Sequence, residues 1–224
     1  MLPRILTSAL LAGAATGLAA AALQLIFVQP VLLHAELYEA GVLEHFGADS
    51  PPDRPDLGGI DLMRDALSIL FSMLIYTGYA IILVALMAQA EQRGAIISTR
   101  RGLIWGLCGY VALHMAPAFS LAPEVPGSAY VDLTARQVWW LATVLATALA
   151  MALIGFGKSW AAWAAALVLL LAPHLIGAPE PESFASPVPS ELGALFAART
   201  LGVGLVAWVG LGALAAHFWQ RDTR

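Results

Sequence analysis

Apolar residues fall into six long blocks separated by short polar or proline-rich connections. The blocks are Ile5–Leu33, Ala66–Gln89, Gly102–Ala122, Val138–Phe156, Trp160–Gly177 and Ala194–Trp219. Each is close to the roughly 20 residues that a helix needs to cross about 30 Å of hydrocarbon. The pattern predicts an all-α integral membrane protein with about six transmembrane helices, forming a single polytopic domain over residues 1–224. The connections alternate in length. Three are long and rich in proline and acids: His34–Asp65, Pro123–Gln137 and Ala178–Gly193. Two are shorter, Ala90–Arg101 and the tight turn Gly157–Ser159. Three tandem helical hairpins are the arrangement this predicts.

Charge gives the blocks an orientation. Arg4, Arg93, Arg100, Arg101, Lys158, Arg221 and Arg224 fall on the side of the short connections and the termini. The other side holds Glu36, Glu39, Glu44, Asp49, Asp53, Asp56, Asp61, Asp65, Glu124, Asp132, Glu180, Glu182 and Glu191, leaving only Glu91 and Asp222 among the basic group. Basic residues favour the cytoplasmic face, so both termini are expected in the cytoplasm of a bacterial inner membrane. The opposite face is then an acidic mouth that attracts cations. Arg4 and the apolar run after it resemble a secretory signal, but the run reaches Val28, beyond the roughly 7–15 residues of a signal core. An uncleaved first helix is the expectation.

Composition narrows the function classes. The chain is 60% hydrophobic and 12% charged, against about 25% charged in a soluble domain. The lipid bilayer is therefore its first partner. Six helices and their loops use up the 224 residues, leaving no room for a separate catalytic or nucleotide-binding domain, and an enzyme is not expected. Gly157-Lys158-Ser159 superficially resembles a P-loop, but Ala152 stands where the leading glycine belongs and the segment is a turn between spans. Nothing resembles a basic nucleic-acid face. Cys108 has no partner for an intrachain disulfide.

Several residues carry candidate chemistry. His34, His45, His114 and His174 lie in the acidic connections or in the halves of the spans next to them, and His217 sits near the other end of the last block. With the carboxylates they offer nitrogen and oxygen donors suited to borderline divalent ions such as Co²⁺, Ni²⁺, Zn²⁺ or Fe²⁺. The densest piece runs from Gln29 to His45. If the first helix continues past the membrane edge, Glu36 and Glu39 share a face at i,i+3, with His34 off it. Polar ends of a helix meeting water account for these residues equally well. His114 and His174 are more demanding, because a polar group in the apolar layer costs free energy unless paired. They are read as metal ligands below the mouth. Two alternatives stay open: hydrogen-bonded ties between helices, or axial ligands of a membrane b-haem.

Other features have structural readings first. Trp105, Trp160, Trp163 and Trp219 near one set of span ends, and Trp139 and Trp140 near the other, form the expected interfacial belt. Gly13/Gly17 and Gly102/Gly106 are spacings for close helix packing. Arg136 and Arg199 open descending helices, where they snorkel to the interface or pair with Glu124, Glu180 or Asp132. Pro30, next to Gln24 and Gln29, frees backbone carbonyls in the first span. The stretches "VPGSAYVDLTAR" (Val125–Arg136) and "VPSELGALFAAR" (Val188–Arg199) each follow an Ala-Pro-Glu and suggest a repeat of the second and third hairpins.

The pieces "FVQPVLLHAELYEAG", "APAFSLAPEVPG", "DLTARQVWWLATVLATALA" and "PHLIGAP" followed by "VPSEL" span nearly the whole chain in order. In them the chain resembles the CbtA family of probable cobalt transporter subunits. The resemblance implies cobalt import, with Co²⁺ or another divalent transition metal as cargo and no tightly bound cofactor. It also implies a small, single-span, histidine-bearing companion subunit. Family members carry a histidine-rich run in the first external loop. Here "HFGADSPPDRPD" keeps only His45 and substitutes acids, which weakens the case for tight capture. The metal path expected on this reading is capture near His34, Glu36 and Glu39, then passage inward by His114 and His174. The competing class is a non-transporting accessory or assembly subunit.

Overall fold

The computed structural model describes residues 1–45, 55–57 and 59–221. Asp49, Asp53, Asp222 and Arg224, which entered the charge sorting, lie outside the described residues. The elements are α1 (Leu2–Leu23), α2 (Gln29–Glu39), α3 (Leu62–Gln92), α4 (Thr99–Tyr110), α5 (Ala116–Ser120), α6 (Leu133–Phe156), α7 (Trp160–Ile176) and α8 (Ser190–Arg221), and the described residues contain no strand. Short π-helical segments, Gln24–Val28 and Val111–Met115, join α1 to α2 and α4 to α5. Five helical runs among the described residues are long and apolar enough to cross a membrane: Leu2–Glu39, Leu62–Gln92, Thr99–Ser120, Leu133–Phe156 and Ser190–Arg221. Trp160–Ile176 is a shorter apolar sixth of 17 residues, at the lower limit of about 17 for a span. The chain is a multi-pass membrane protein.

Helices begin earlier than the apolar blocks because polar residues just outside them act as caps. The Asp61 carboxylate accepts from the Met63 and Arg64 amides, both at 3.0 Å. Asp132 accepts from Ala135 at 2.7 Å, and Ser159 from Ala162 at 3.2 Å. Each satisfies an amide that the first turn would otherwise leave without an acceptor. The acids of the mouth thus include two helix caps.

Both π-helical segments stand directly before an X-Pro pair, Gln29-Pro30 and Ala116-Pro117. Proline cannot donate to the preceding turn, and its ring crowds the carbonyl four residues back. A wider turn relieves that crowding. Pro173 in α7 is accommodated without a π-helical turn.

Two compact units divide the chain. The first comprises Met1–Phe27, Gly59–Tyr110 and Gly202–Arg224, the second Val28–Gly58 and Val111–Leu201. In the first unit α1 lies along α3, with Gly13 against the Thr77 backbone and Gly17 against Met73. Gly102 and Gly106 of α4 meet Gly212 and Trp208 of α8. The two glycine pairs therefore pack backbone on backbone, as their spacing predicts. One end of this unit gathers the chain start, the connection after α3 and the end of α8. The Trp219 indole donates to Glu91 at 3.0 Å, Arg4 lies 3.6 Å over the Trp219 ring, and Gln220 donates to the Ile97 carbonyl at 3.0 Å. These are ends that the charge sorting assigns to one side, and Glu91, its exception, is there as an acceptor for tryptophan.

A side chain at Gly106 has no room, whereas a Cβ at Gly78 meets nothing within 4 Å. Overpacking typically costs about 1–3 kcal/mol. Gly106→Leu is expected to lower the unfolding midpoint of the purified protein sharply, and Gly78→Leu to leave it nearly unchanged. Equal midpoints for the two variants would contradict the close α4–α8 contact.

Candidate functional site

All five candidate ligands, His34, Glu36, Glu39, His114 and His174, belong to the second unit. The first three ride on α2, which continues the first helix to Glu39. Leu2–Glu39 is 38 residues, about 57 Å at 1.5 Å per residue, so the run exceeds the hydrocarbon thickness by a wide margin. Glu36 and Glu39 are both exposed, one turn apart. His34 is half-buried, its Nε2 is enclosed without a hydrogen-bond partner, and its ring lies 5.5 Å from that of Tyr38. Tyr38 is buried and meets His45 edge-on at 6.5 Å. A shallow cleft beside it is lined by Gly41, Leu43, Glu44, His45 and Pro187.

The platform under this helix end is small and apolar. Ala35 and Tyr38 of α2 pack with Val125 and Val188, with Leu43, Leu192 and Phe196 around them. Ser186 donates to the Gly127 carbonyl at 2.9 Å, which ties the two long loops together. Gly127 turns with φ +78 and sits against Glu39 and Val188. The three connections that the charge sorting puts on the acidic side therefore meet at one place. Arg136 pairs with Glu124 there at 2.5 Å, one of the pairings expected for it. Arg199 is ten residues into α8 and does not open the helix, because α8 starts at Ser190.

The same geometry corrects the repeat. The Ala-Pro-Glu triplets do follow α5 and α7 at equal distance, Ala122 two residues after Ser120 and Ala178 two after Ile176. Beyond them the match fails. Pro126 to Arg136 crosses a loop and enters the first turn of α6, whereas Pro189 to Arg199 is helical from Ser190 on. Val125 and Val188 meet in one cluster. His114 lies six residues before its helix end and His174 two, so they do not hold equivalent positions in their helices.

His174 has the best-defined surroundings. Its Nδ1 is 2.8 Å from Ser120 Oγ, and the Phe119 and Trp139 rings stand edge-on at 5.0 and 6.0 Å. The Trp139 indole donates to the Pro173 carbonyl at 3.2 Å. Trp139 is thus buried packing beside a histidine, and Trp219 is 2% exposed. Trp160, by contrast, is 81% exposed. His114 lies in the π-helical segment Val111–Met115, half-buried. Ser120, which no spacing signals, is the polar neighbour that sequence reasoning missed. Among the described residues no three His, Cys, Asp or Glu side chains gather into a group that could hold a metal ion. The candidates are spread over the second unit.

A family model described as "Probable cobalt transporter subunit (CbtA)" matches residues 2–220, nearly the whole chain. The chain belongs to the CbtA family. Comparison with curated proteins and with solved structures finds no match. CbtA membership makes the chain a probable cobalt transporter subunit and is consistent with its multi-pass helical build. It makes Co²⁺ the first candidate for cargo.

Proposed function

We propose that the chain passes a divalent transition metal, cobalt foremost, inward across the bacterial inner membrane as one subunit of a complex, with both termini cytoplasmic. The observation that carries this reading is the meeting of α2 and the two long loops in the second unit, within a chain of a cobalt-transporter family. Exposed Glu36 and Glu39 raise the local cation concentration and exchange water for carboxylate oxygen. His34, His114 and His174 supply the nitrogen that favours a borderline ion over Mg²⁺ or Ca²⁺. Stations holding one or two ligands release an ion more readily than a closed site of three or four. A +2 ion moving inward through 100 mV gains about 4.6 kcal/mol, twice the roughly 2.3 kcal/mol per charge, which suffices for uniport. The companion subunit implied by the family resemblance would present metal at the acidic face.

Reporter fusions after Ala40, Gly127 and Ser186 should be external, and one after Arg101 internal. A cytoplasmic signal from any of the first three would remove the acidic mouth. Glu36→Gln with Glu39→Gln should raise the half-saturating cobalt concentration in cell uptake with a smaller effect on maximal rate, since these groups act at capture. The effect should shrink as ionic strength rises to about 0.15 M, where screening acts over roughly 8 Å. A fall in maximal rate at unchanged half-saturation would assign the carboxylates to passage.

A further inference from the structure

We infer that Ser120 is the positioning residue of the His174 station, accepting the Nδ1 proton and leaving Nε2 as the single ligand nitrogen for a borderline divalent ion. This rests on the reading of His174 as a metal ligand. Two elements of the second unit, α5 and α6, converge on that ring of α7. The Ser120 hydroxyl at the end of α5 reaches Nδ1 at 2.8 Å. Trp139 of α6 fixes the backbone one residue before the histidine, through its indole on the Pro173 carbonyl at 3.2 Å. That bond also occupies the only indole donor near the ring, so Trp139 does not compete for a ring nitrogen. Phe119 and Trp139 then stand edge-on to the imidazole at 5.0 and 6.0 Å, presenting hydrocarbon to its flanks.

The consequence follows from imidazole chemistry. A neutral ring carries one proton, and the nitrogen without it is the one that binds metal. With Nδ1 engaged by Ser120, metal can approach only Nε2, and a ring bound through Nε2 carries its proton on Nδ1. The hydroxyl at 2.8 Å is placed to accept that proton, so in this tautomer binding requires no rearrangement of the contact. An orienting acceptor of this kind raises ligand basicity and holds the ring, and losing one typically costs about 10–100-fold in metal affinity. The sequence separation of 54 residues and the apolar flanks distinguish the contact from a helix-capping bond. A simple interhelical tie would contribute stability and could set the same tautomer, but it would leave metal affinity untouched.

Histidine-¹⁵N-labelled protein in lipid nanodiscs tests this, with His174 assigned by the signal lost in His174→Ala. The expected result is a proton on Nδ1 in the parent protein and a shift toward the Nε2-protonated form in Ser120→Ala. Cobalt affinity by calorimetry should fall about tenfold in Ser120→Ala and recover in Ser120→Thr, with thermal midpoints close to the parent. A parent His174 protonated on Nε2 would overturn the inference. So would an unchanged affinity in Ser120→Ala alongside a reduced one in His174→Ala, with the transport reading left standing. An unchanged affinity in His174→Ala would instead remove His174 from the path and the positioning role with it.

Discussion

Replacing His114 and His174 together by alanine is expected to abolish cobalt accumulation, by about 100-fold or more, while the protein still inserts and folds. The size follows from chemistry: loss of an orienting partner alone costs about 10–100-fold in metal affinity, and on the proposed relay two ligands themselves are removed. Both histidines lie in the second unit, in different helical runs. Neither is a large core residue: both are half-buried, so truncation leaves the apolar contacts of α6 and α7 in place. Uptake assayed beside membrane yield and thermal midpoint separates the two roles. Unchanged uptake in the double variant would leave both histidines as ties between helices. A collapsed midpoint with lost uptake would favour the same structural role, and single variants with intact midpoints would then have to carry the relay.

How legible this was in the sequence differs from residue to residue. The membrane class was plain, because hydrocarbon acts on every residue of a span. Caps such as Asp61 and Asp132 were not separated from the acidic mouth, since an acid beside an apolar block reads the same in either role. The glycine pairs were read correctly because helical spacing is local. The π-helical segments were half visible: Pro30 announced a break, but its form depends on how the helix relaxes around the ring. Trp139 and Trp219 make indole bonds that their place near a span end did not announce. An amphipathic ring near a span end is equally at home in the interface or bonded inside, and only tertiary neighbours decide. The repeat between Val125–Arg136 and Val188–Arg199 failed because proline and alanine spacing does not specify whether the intervening chain is loop or helix. Ser120 could not be found at all, because nothing local connects it to a histidine 54 residues away.

Trp219→Ala is expected to destabilise the protein by about 3–5 kcal/mol, the usual cost of truncating a buried aromatic. Trp219 is 2% exposed, and its removal takes away several interactions together. Its indole donor to Glu91 at 3.0 Å is lost, leaving the carboxylate without that partner. Its ring no longer stacks under Arg4, 3.6 Å away, a contact worth about 0.5–2 kcal/mol depending on desolvation. The Arg4 bond to the Trp219 carbonyl remains chemically available, but the ring that orients the guanidinium is gone. Trp219→Phe should lose less, since it keeps the burial and the ring face and gives up only the N–H. Trp160→Ala, at an 81% exposed position, should cost little in detergent. Denaturation of the three variants in one detergent orders these effects. If Trp219→Ala proved no worse than Trp160→Ala, Trp219 would be an interfacial anchor after all, and the joining of α1, α3 and α8 at that end would have to rest on their apolar contacts alone.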